Sequence, residues 1–157
     1  MTISLVRVDD RLIHGQVVVG WGQALSPQRF VLVDDEIAAD EWEAELYRAG
    51  VPDDVAVEFA TIDEAGRRFD WWMRSKERTI LLVKDVDGLL RLCAETSSIT
   101  DINLGGLHQD GGRIQRLPYV FLNEDEMTKL KALERRGIAI TAQDLPNARP
   151  VPLGELT

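Results

Sequence analysis

The sequence predicts an α/β fold with one doubly wound, mostly parallel sheet of about seven strands and helices on both faces. Short apolar runs alternate with segments of helical period along the chain, and turn or helix-capping residues stand between them. Helical crossovers between strands of one sheet give parallel pairing. At 157 residues and 45% hydrophobic composition, the chain fits one globular domain over residues 1–157, which buries roughly 70% of its unfolded surface.

Seven short apolar runs have the length and composition of strands. The second run is apolar throughout, which is typical of a strand that is covered on both faces of a parallel sheet. The predicted strands cover residues 3–8, 30–33, 55–60, 79–83, 99–104, 119–122 and 138–141.

Helices are predicted after five of these strands, and most begin at a capping residue. Either Asp34 or Asp35 caps the second helix, Thr61 the third, Asp85 the fourth and Asn123 the last. The residues predicted to face the core are Val17, Trp21, Ala24 and Leu25; then Ala38, Trp42, Leu46 and Ala49; then Ile62, Ala65, Phe69, Trp72 and Met73; then Val86, Leu89, Leu90 and Cys93; and finally Met127, Leu130 and Leu133.

The fifth strand is followed by a different kind of segment. Residues 105–118 are rich in glycine and polar side chains, and we expect a long loop there. It lacks the Gly-Lys-Ser/Thr ending of a P-loop, so Arg113 and Arg116 do not indicate nucleotide binding. His108 is expected to be a solvated loop residue. The three prolines of residues 146–152 predict an irregular tail.

Composition excludes several classes of function. Lysine and arginine total 18 against 27 aspartate and glutamate, a net charge of -9. No basic stripe is present, so nucleic acid is not an expected partner. Cys93, a lone cysteine in an apolar helical pattern, indicates a buried thiol and a reducing compartment. Neither a signal peptide nor an apolar run of about 18 residues is found, which predicts a cytoplasmic protein.

The most informative segment lies between the first strand and the first helix, at residues 7–17. It places His14, a nucleophile that can carry a phosphoryl group, three residues after Arg11, whose guanidinium can clamp phosphoryl oxygens. If a helix begins at Gly15, the free amides of Gly15, Gln16 and Val17 favour an anion at the same place. A lone histidine is more often structural, but the whole ordered string favours a carrier.

Two carboxylates precede this arginine. One of Asp9 and Asp10 is expected to orient the imidazole of His14 through its second nitrogen, which leaves the other nitrogen free to attack. The other carboxylate is expected to hold Arg11. With two distant histidines and one thiol, no zinc-spacing motif is present, and neither a metal nor a bound cofactor is expected.

The string at residues 7–17 resembles the phosphorylation motif of enzyme IIB of the mannose/fructose/sorbose family of the sugar phosphotransferase system. Segments at residues 34–40, 101–108, 133–140 and 143–146 resemble the same family, so the likeness covers nearly the whole chain. The family usually has Asn-Asp where this chain has Asp34-Asp35. An extra carboxylate near a phosphoryl group is unfavourable unless it points away.

The resemblance implies that a IIA subunit phosphorylates His14, that Arg11 assists, and that the phosphoryl group then passes to a sugar that arrives through the membrane subunits IIC and IID. The residues leave open the identity of the sugar, the phosphorylated nitrogen and whether the protein forms a homo-oligomer. A regulatory module that signals through phosphorylated His14 without sugar transfer is the alternative. A degenerate structural subunit fits the intact motif less well.

Overall fold

The main sheet of the protein contains seven strands in the order β3-β2-β4-β1-β5-β8-β9. We describe it from a computed structural model, which covers residues 2–156. All neighbouring pairs are parallel except β8 and β9 at one edge. The strands are β1 (Ile3–Val8), β2 (Arg29–Val33), β3 (Ala56–Ala60), β4 (Thr79–Val83), β5 (Asp101–Leu104), β8 (Ala139–Ala142) and β9 (Val151–Pro152).

Helices cover both faces of this sheet, and the sheet separates two apolar clusters. One cluster joins the inner sides of α4, α5 and α6, including the fully buried Trp72, to one face. The other joins Val17, Trp21 and Ile37 to the opposite face. The helices are a π-helix (Gln16–Trp21) that runs into α1 (Gly22–Leu25), α2 (Asp35–Ala38), α3 (Glu41–Ala49), α4 (Ile62–Arg74), α5 (Val86–Glu95) and α6 (Glu124–Arg135), with a 3₁₀ turn at Leu153–Glu155.

The predicted helix caps are confirmed. Thr61 accepts from the amide of Glu64 at 3.1 Å, and Asp85 accepts from the amide of Gly88 at 2.7 Å. Asn123 and Glu126 form a complete capping box at the start of α6. Of the two candidates for the second helix, Asp34 is the cap. The sequence therefore located the starts of these helices correctly because a capping side chain leaves a local signal.

The predicted second helix is wrong in one respect. The helix ends at Ala38, and Asp40 caps a new helix by accepting from the amides of Trp42 and Glu43 at 3.0 and 3.1 Å. The helical phase restarts at this cap, so Ala44 turns inward. Trp42 and Leu46, which the sequence placed in the core, are 76% and 61% exposed.

Two further predictions need correction. The expected loop at residues 105–118 contains strand β6 (Ile114–Leu117), which pairs antiparallel with β7 (Val120–Leu122). These two strands form a separate small sheet, so the predicted strand at residues 119–122 is not part of the main sheet. Its place is taken by β9 in the proline-rich tail, which pairs with β8 at the edge, where Pro152 is tolerated.

Cys93 is buried as predicted, and burial raises the pKa of its thiol to about 11. Within residues 2–156 no helix is long and apolar enough to cross a membrane.

Candidate functional site

The turn after β1 meets the turn after β5 at the carboxyl edge of the sheet. β1 and β5 are neighbours in the sheet. The chain runs from β1 toward β2 on one side and from β5 toward β8 on the other, so the connections that follow β1 and β5 diverge. Crevices at such switch points are the usual ligand sites of open α/β sheets. Backbone hydrogen bonds join the turns: the amide of Gly105 donates to the carbonyl of Val8 at 2.7 Å, and that of Asp10 to the carbonyl of Gly106 at 2.9 Å.

A tight, strained turn returns the chain over this crevice. The amide of Leu12 donates to the carbonyl of Asp9 at 3.0 Å. Leu12 has a φ of 56°, a left-handed conformation that costs a residue other than glycine free energy. Its side chain is fully buried with that of Ile13, and this packing holds the turn. The next residue is His14, which is thereby placed above Asp9.

His14 is held through one ring nitrogen. Its Nε2 atom lies 3.0 Å from Oδ2 of Asp9, and the side chain is 12% exposed. Asp9 is therefore the carboxylate that orients the imidazole. The Nδ1 atom is buried and has no hydrogen-bond partner among the residues that the structure describes. When Asp9 is ionised, a neutral ring donates from Nε2, and the lone pair of the imidazole lies on Nδ1.

Arg7 holds the other side of the same carboxylate. Its guanidinium lies 3.3 Å from Oδ2 of Asp9, and both side chains are completely buried. It also donates to the side chain of Asn103, to the carbonyl of Gln143 at 2.8 Å, and to that of Asp144 at 3.2 Å. Arg7 therefore ties the end of β1 to β5 and to the segment after β8.

Two neighbours of Arg7 complete its enclosure. The guanidinium lies 5.2 Å from the ring centroid of Trp21, whose Nε1 donates to the carbonyl of Asp144 at 3.0 Å. On another side it packs against the backbone of Gly105, where a Cβ atom would overlap it. The glycine at this position is therefore required by a close approach of side chain to backbone.

The charges around Asp9 set its protonation. Burial on its own would raise the pKa of this carboxyl, but the hydrogen bond from His14, the charge of Arg7 and the hydrogen bond from the amide of Arg11 outweigh it. The pKa of Asp9 is consequently below its ordinary value. Burial lowers the pKa of Arg7, and the attraction of Asp9 offsets part of that effect. An ionised Asp9 is the state that fits its partners.

Arg11 contacts the same carboxylate as His14, and its side chain is half-exposed. Its amide donates to Oδ1 of Asp9 at 3.1 Å, its Nε is 4.0 Å from the same oxygen, and its Nη2 donates to Oε1 of Gln16 at 3.1 Å. The same Nη2 is near Gly106 at the rim of the crevice. The guanidinium therefore keeps donors available to solvent at the site.

The helical segment after His14 begins at Gly15, as expected: Gly15 has right-handed helical dihedral angles, with φ of -53° and ψ of -44°, and the π-helix follows at Gln16–Trp21. The amide of Val18 donates to the carbonyl of His14 at 3.0 Å, so the amides of residues 15–17 precede the first helical hydrogen bond. Nothing lies within 4 Å of the position that a Cβ atom of Gly15 would take. The segment is a π-helix, a form that is frequent at functional sites.

Asp10 does not hold Arg11, contrary to the expectation. Its carboxylate accepts from the amide of His108 at 2.8 Å and from the Nδ1 atom of the same residue at 2.7 Å. His108 is exposed, as predicted, but it fastens the glycine-rich segment to the turn after β1. Arg113 and Arg116 are paired with Glu126 and Glu124, at 2.9 and 3.0 Å.

The two carboxylates after β2 are bound to helix termini. Asp34 accepts from the amide of Ile37 at 3.0 Å, and Asp35 accepts from the amide of Ile62 at 2.9 Å and pairs with Arg91 at 3.0 Å. The extra carboxylate at Asp34 is therefore satisfied by the start of α2.

The sequence predicted His14, Arg11 and Asp9 as site residues, but it did not indicate Arg7, Asn103 and the two glycines after β5, which the structure brings to the same place. A charged residue inside an otherwise apolar strand was the available signal for Arg7. The contact between Arg7 and Gly105 joins residues 98 positions apart, which no local pattern reveals.

The chain matches the family model described as PTS system sorbose subfamily IIB component over residues 3–157. It is 32% identical over 140 residues to the PTS system mannose-specific EIIAB component of Escherichia coli, covering 89% of this chain but only 43% of that protein. It is 26% identical to the PTS system fructose-specific EIIB component of Bacillus subtilis, covering 94% of this chain and 90% of the relative.

Solved structures agree with these relatives. ManxB from Thermoanaerobacter tengcongensis has a TM-score of 0.87 and 30% identity, with 99% of this chain and 94% of the other covered. The IIBSor domain of the sorbose permease from Klebsiella pneumoniae has a TM-score of 0.88 and 25% identity, with 99% and 96% covered. The chain therefore belongs to the sorbose subfamily of IIB components of the sugar phosphotransferase system.

Proposed function

We propose that this protein is a cytoplasmic phosphocarrier: a IIA component phosphorylates His14, and the phosphoryl group passes to a sugar that enters through IIC and IID membrane subunits. The observation that carries the proposal is the bond between Nε2 of His14 and the buried carboxylate of Asp9. This bond fixes the ring and leaves Nδ1 as the nucleophile. The family and the fusion of EIIA to EIIB in the E. coli mannose relative support the identity of the donor.

The first step exchanges one N–P bond for another. The lone pair of Nδ1 of His14 attacks the phosphorus of a phosphohistidine on the donor, and the donor imidazole leaves with the electron pair of its own N–P bond. The Nε2 proton of His14 stays in its hydrogen bond with Asp9, whose negative charge stabilises the positive charge that develops on the ring. Because Nδ1 is buried in the free protein, docking of the donor has to open access to it.

Positive charge and free amides at the site stabilise the transferred group. Arg11 has donors directed to solvent beside His14, and the amides of residues 15–17 lie at the start of a helical segment. Arg7 acts at a distance because it contacts the carboxylate and not the imidazole. It is a positioning residue for Asp9.

The second step transfers the group to a sugar. A hydroxyl oxygen of the sugar attacks phosphorus, the N–P bond to His14 breaks with its electrons returning to Nδ1, and the hydroxyl proton is lost to solvent or to a base of the membrane subunits. The chemical identity of the sugar is set by those subunits. The protein is released with His14 in its initial state.

The experiment starts with the isolated, phosphorylated protein. It is mixed with membrane vesicles that contain the IIC and IID subunits from the same organism and with a panel of radiolabelled hexoses, and sugar phosphate is measured. We expect phosphate to leave His14 as one sugar phosphate forms in equal amount. If the protein is phosphorylated but no sugar phosphate forms with any sugar, the transport role is wrong and a regulatory module becomes the better description.

A further inference from the structure

We infer that the exposed face of α3 formed by Trp42 and Leu46 is the docking surface for the IIA component that phosphorylates His14. We call this face the α3 patch. The inference rests on the proposed function, because it names the surface that the donor covers. Of the large hydrophobic side chains that the structure describes, Trp42 and Leu46 are the two most exposed, at 76% and 61%. Four residues apart on one helix, they lie on the same side.

The position of α3 connects this patch to the site. The helix follows α2, which starts where β2 ends, so α3 begins at the carboxyl edge of the sheet, where His14 lies. The C-terminal end of α3 reaches the turn after β1. The position that a Cβ atom of Gly50 would take is 3.5 Å from the side chain of Ile13, the residue before His14. Tyr47 packs in the cluster that contains Leu12 and Ile13.

An interface of ordinary size around His14 is wide enough to reach this patch. A standard interface buries about 800 Å² on each partner, a circle of about 16 Å radius. At 1.5 Å per residue, Leu46 lies about 6 Å and Trp42 about 12 Å along α3 from Gly50. A donor must bring its phosphoryl group within about 3.5 Å of the imidazole. Gly50 lies against the residue before His14, so a domain centred on His14 extends over the Leu46 end of α3, and Trp42 lies about one helical turn further along.

The residue types fit an interface with a protein. Tryptophan is among the side chains most enriched at binding hot spots. Asp40, Glu41 and Glu45 are exposed beside the patch, and of these Glu45 is paired with Arg48. The fitting partner is a phosphohistidine domain that presents an apolar patch with a rim of lysine or arginine, since complementary charge raises the association rate.

The test measures transfer kinetics from the phosphorylated IIA component of the same organism at increasing donor concentration. We expect Trp42→Ala and Leu46→Ala to raise the KM for the donor, about tenfold or more for Trp42, with most of the effect on KM rather than on kcat. Trp71→Ala is the matched control, because Trp71 is 53% exposed on α4, which packs on the opposite face of the sheet. We expect its KM to stay within about twofold of the wild-type value.

Equal KM values for Trp42→Ala and the wild type would overturn the inference. So would sedimentation velocity that shows a wild-type dimer and a Trp42→Ala monomer, because the patch would then belong to a second copy.

If the phosphorylated donor transfers nothing to the wild type, the proposed function fails. Calorimetric titration with unphosphorylated IIA still tests the patch: weaker binding to Trp42→Ala than to Trp71→Ala supports it, and equal or absent binding contradicts it.

Discussion

Oδ2 of Asp9 is shared by two partners, Nε2 of His14 at 3.0 Å and the fully buried guanidinium of Arg7 at 3.3 Å. One oxygen therefore joins the residue proposed to carry phosphate to the residue that ties β1, β5 and the segment after β8 together. The carboxylate that orients the imidazole is therefore itself held by a fully buried guanidinium.

Asp9→Asn is expected to slow phosphorylation of His14 by about 10²-fold or more. The amide of asparagine donates to Nε2, which moves the ring proton to Nδ1 and removes the nucleophilic lone pair from that atom. Asp10→Asn is the matched control, since Asp10 contacts His108 and not His14. Quenched time courses of phosphorylation measure both variants. Equal rates for the two would remove Asp9 from the chemistry.

Arg7→Met is expected to lower the free energy of unfolding by about 3–5 kcal/mol, because it leaves the charge of Asp9 buried without the guanidinium that is buried beside it. The double variant Arg7→Met/Asp9→Asn removes that charge as well, and part of the lost stability should return. Urea denaturation of the wild type and the three variants measures the coupling. Additive effects would show that Arg7 and Asp9 do not stabilise each other.

Gly105→Ala is expected to destabilise the protein, since its Cβ atom would overlap the guanidinium of Arg7. Overpacking of this kind costs about 1–3 kcal/mol. Gly112→Ala is the control, because a Cβ atom there meets nothing within 4 Å and Gly112 is not among the glycines with positive φ. Thermal melting compares the two variants. The same melting temperature for both would mean that Arg7 does not need the space above Gly105.

Arg11→Lys is expected to slow transfer about tenfold or more, because a point charge cannot replace the planar fork of the guanidinium. The overall charge is unchanged, so docking steered by charge should be preserved. Arg149→Lys, at an exposed arginine paired with Glu155, serves as the control. Single-turnover kinetics at saturating donor measure transfer to both variants. Equal rates for Arg11→Lys and Arg149→Lys would contradict the role of Arg11.

Acid should remove the stabilisation that the ionised Asp9 provides. Its pKa is lowered in the folded protein, so the unfolded chain binds more protons between that pKa and the ordinary value of about 3.9. The contribution is complete above the ordinary value and is lost as the pH falls through the folded pKa. Urea unfolding of wild type and Asp9→Asn should therefore converge below about pH 4. A constant difference down to pH 2 would contradict this.

Local signals in the sequence predicted most of the fold. Apolar runs predicted the parallel strands, and capping side chains predicted the starts of α4, α5 and α6. The errors arise where a local pattern has two interpretations. Trp42 and Leu46 fit one long helix until the cap at Asp40 shifts the phase. Pro152 indicates an irregular tail unless it lies at a sheet edge.

The site was predictable only in part. His14, Arg11 and Asp9 lie within six residues, so the sequence could place them together. The partner of Asp10 could not be predicted, because the contact with His108 depends on where the chain returns after β5. The same holds for Arg7 and Asn103, which become neighbours only through the pairing of β1 with β5.

The central claim is tested most directly by mass spectrometry of the protein after incubation with phosphoenolpyruvate, the general phosphotransferase proteins and the IIA component, with His14→Ala in parallel. The proposal predicts one acid-labile phosphoryl group on the peptide that contains His14, with ¹⁵N spectra placing it on Nδ1, and none on the variant. No modification of the wild type by a charged IIA component, or equal modification of His14→Ala, would contradict it.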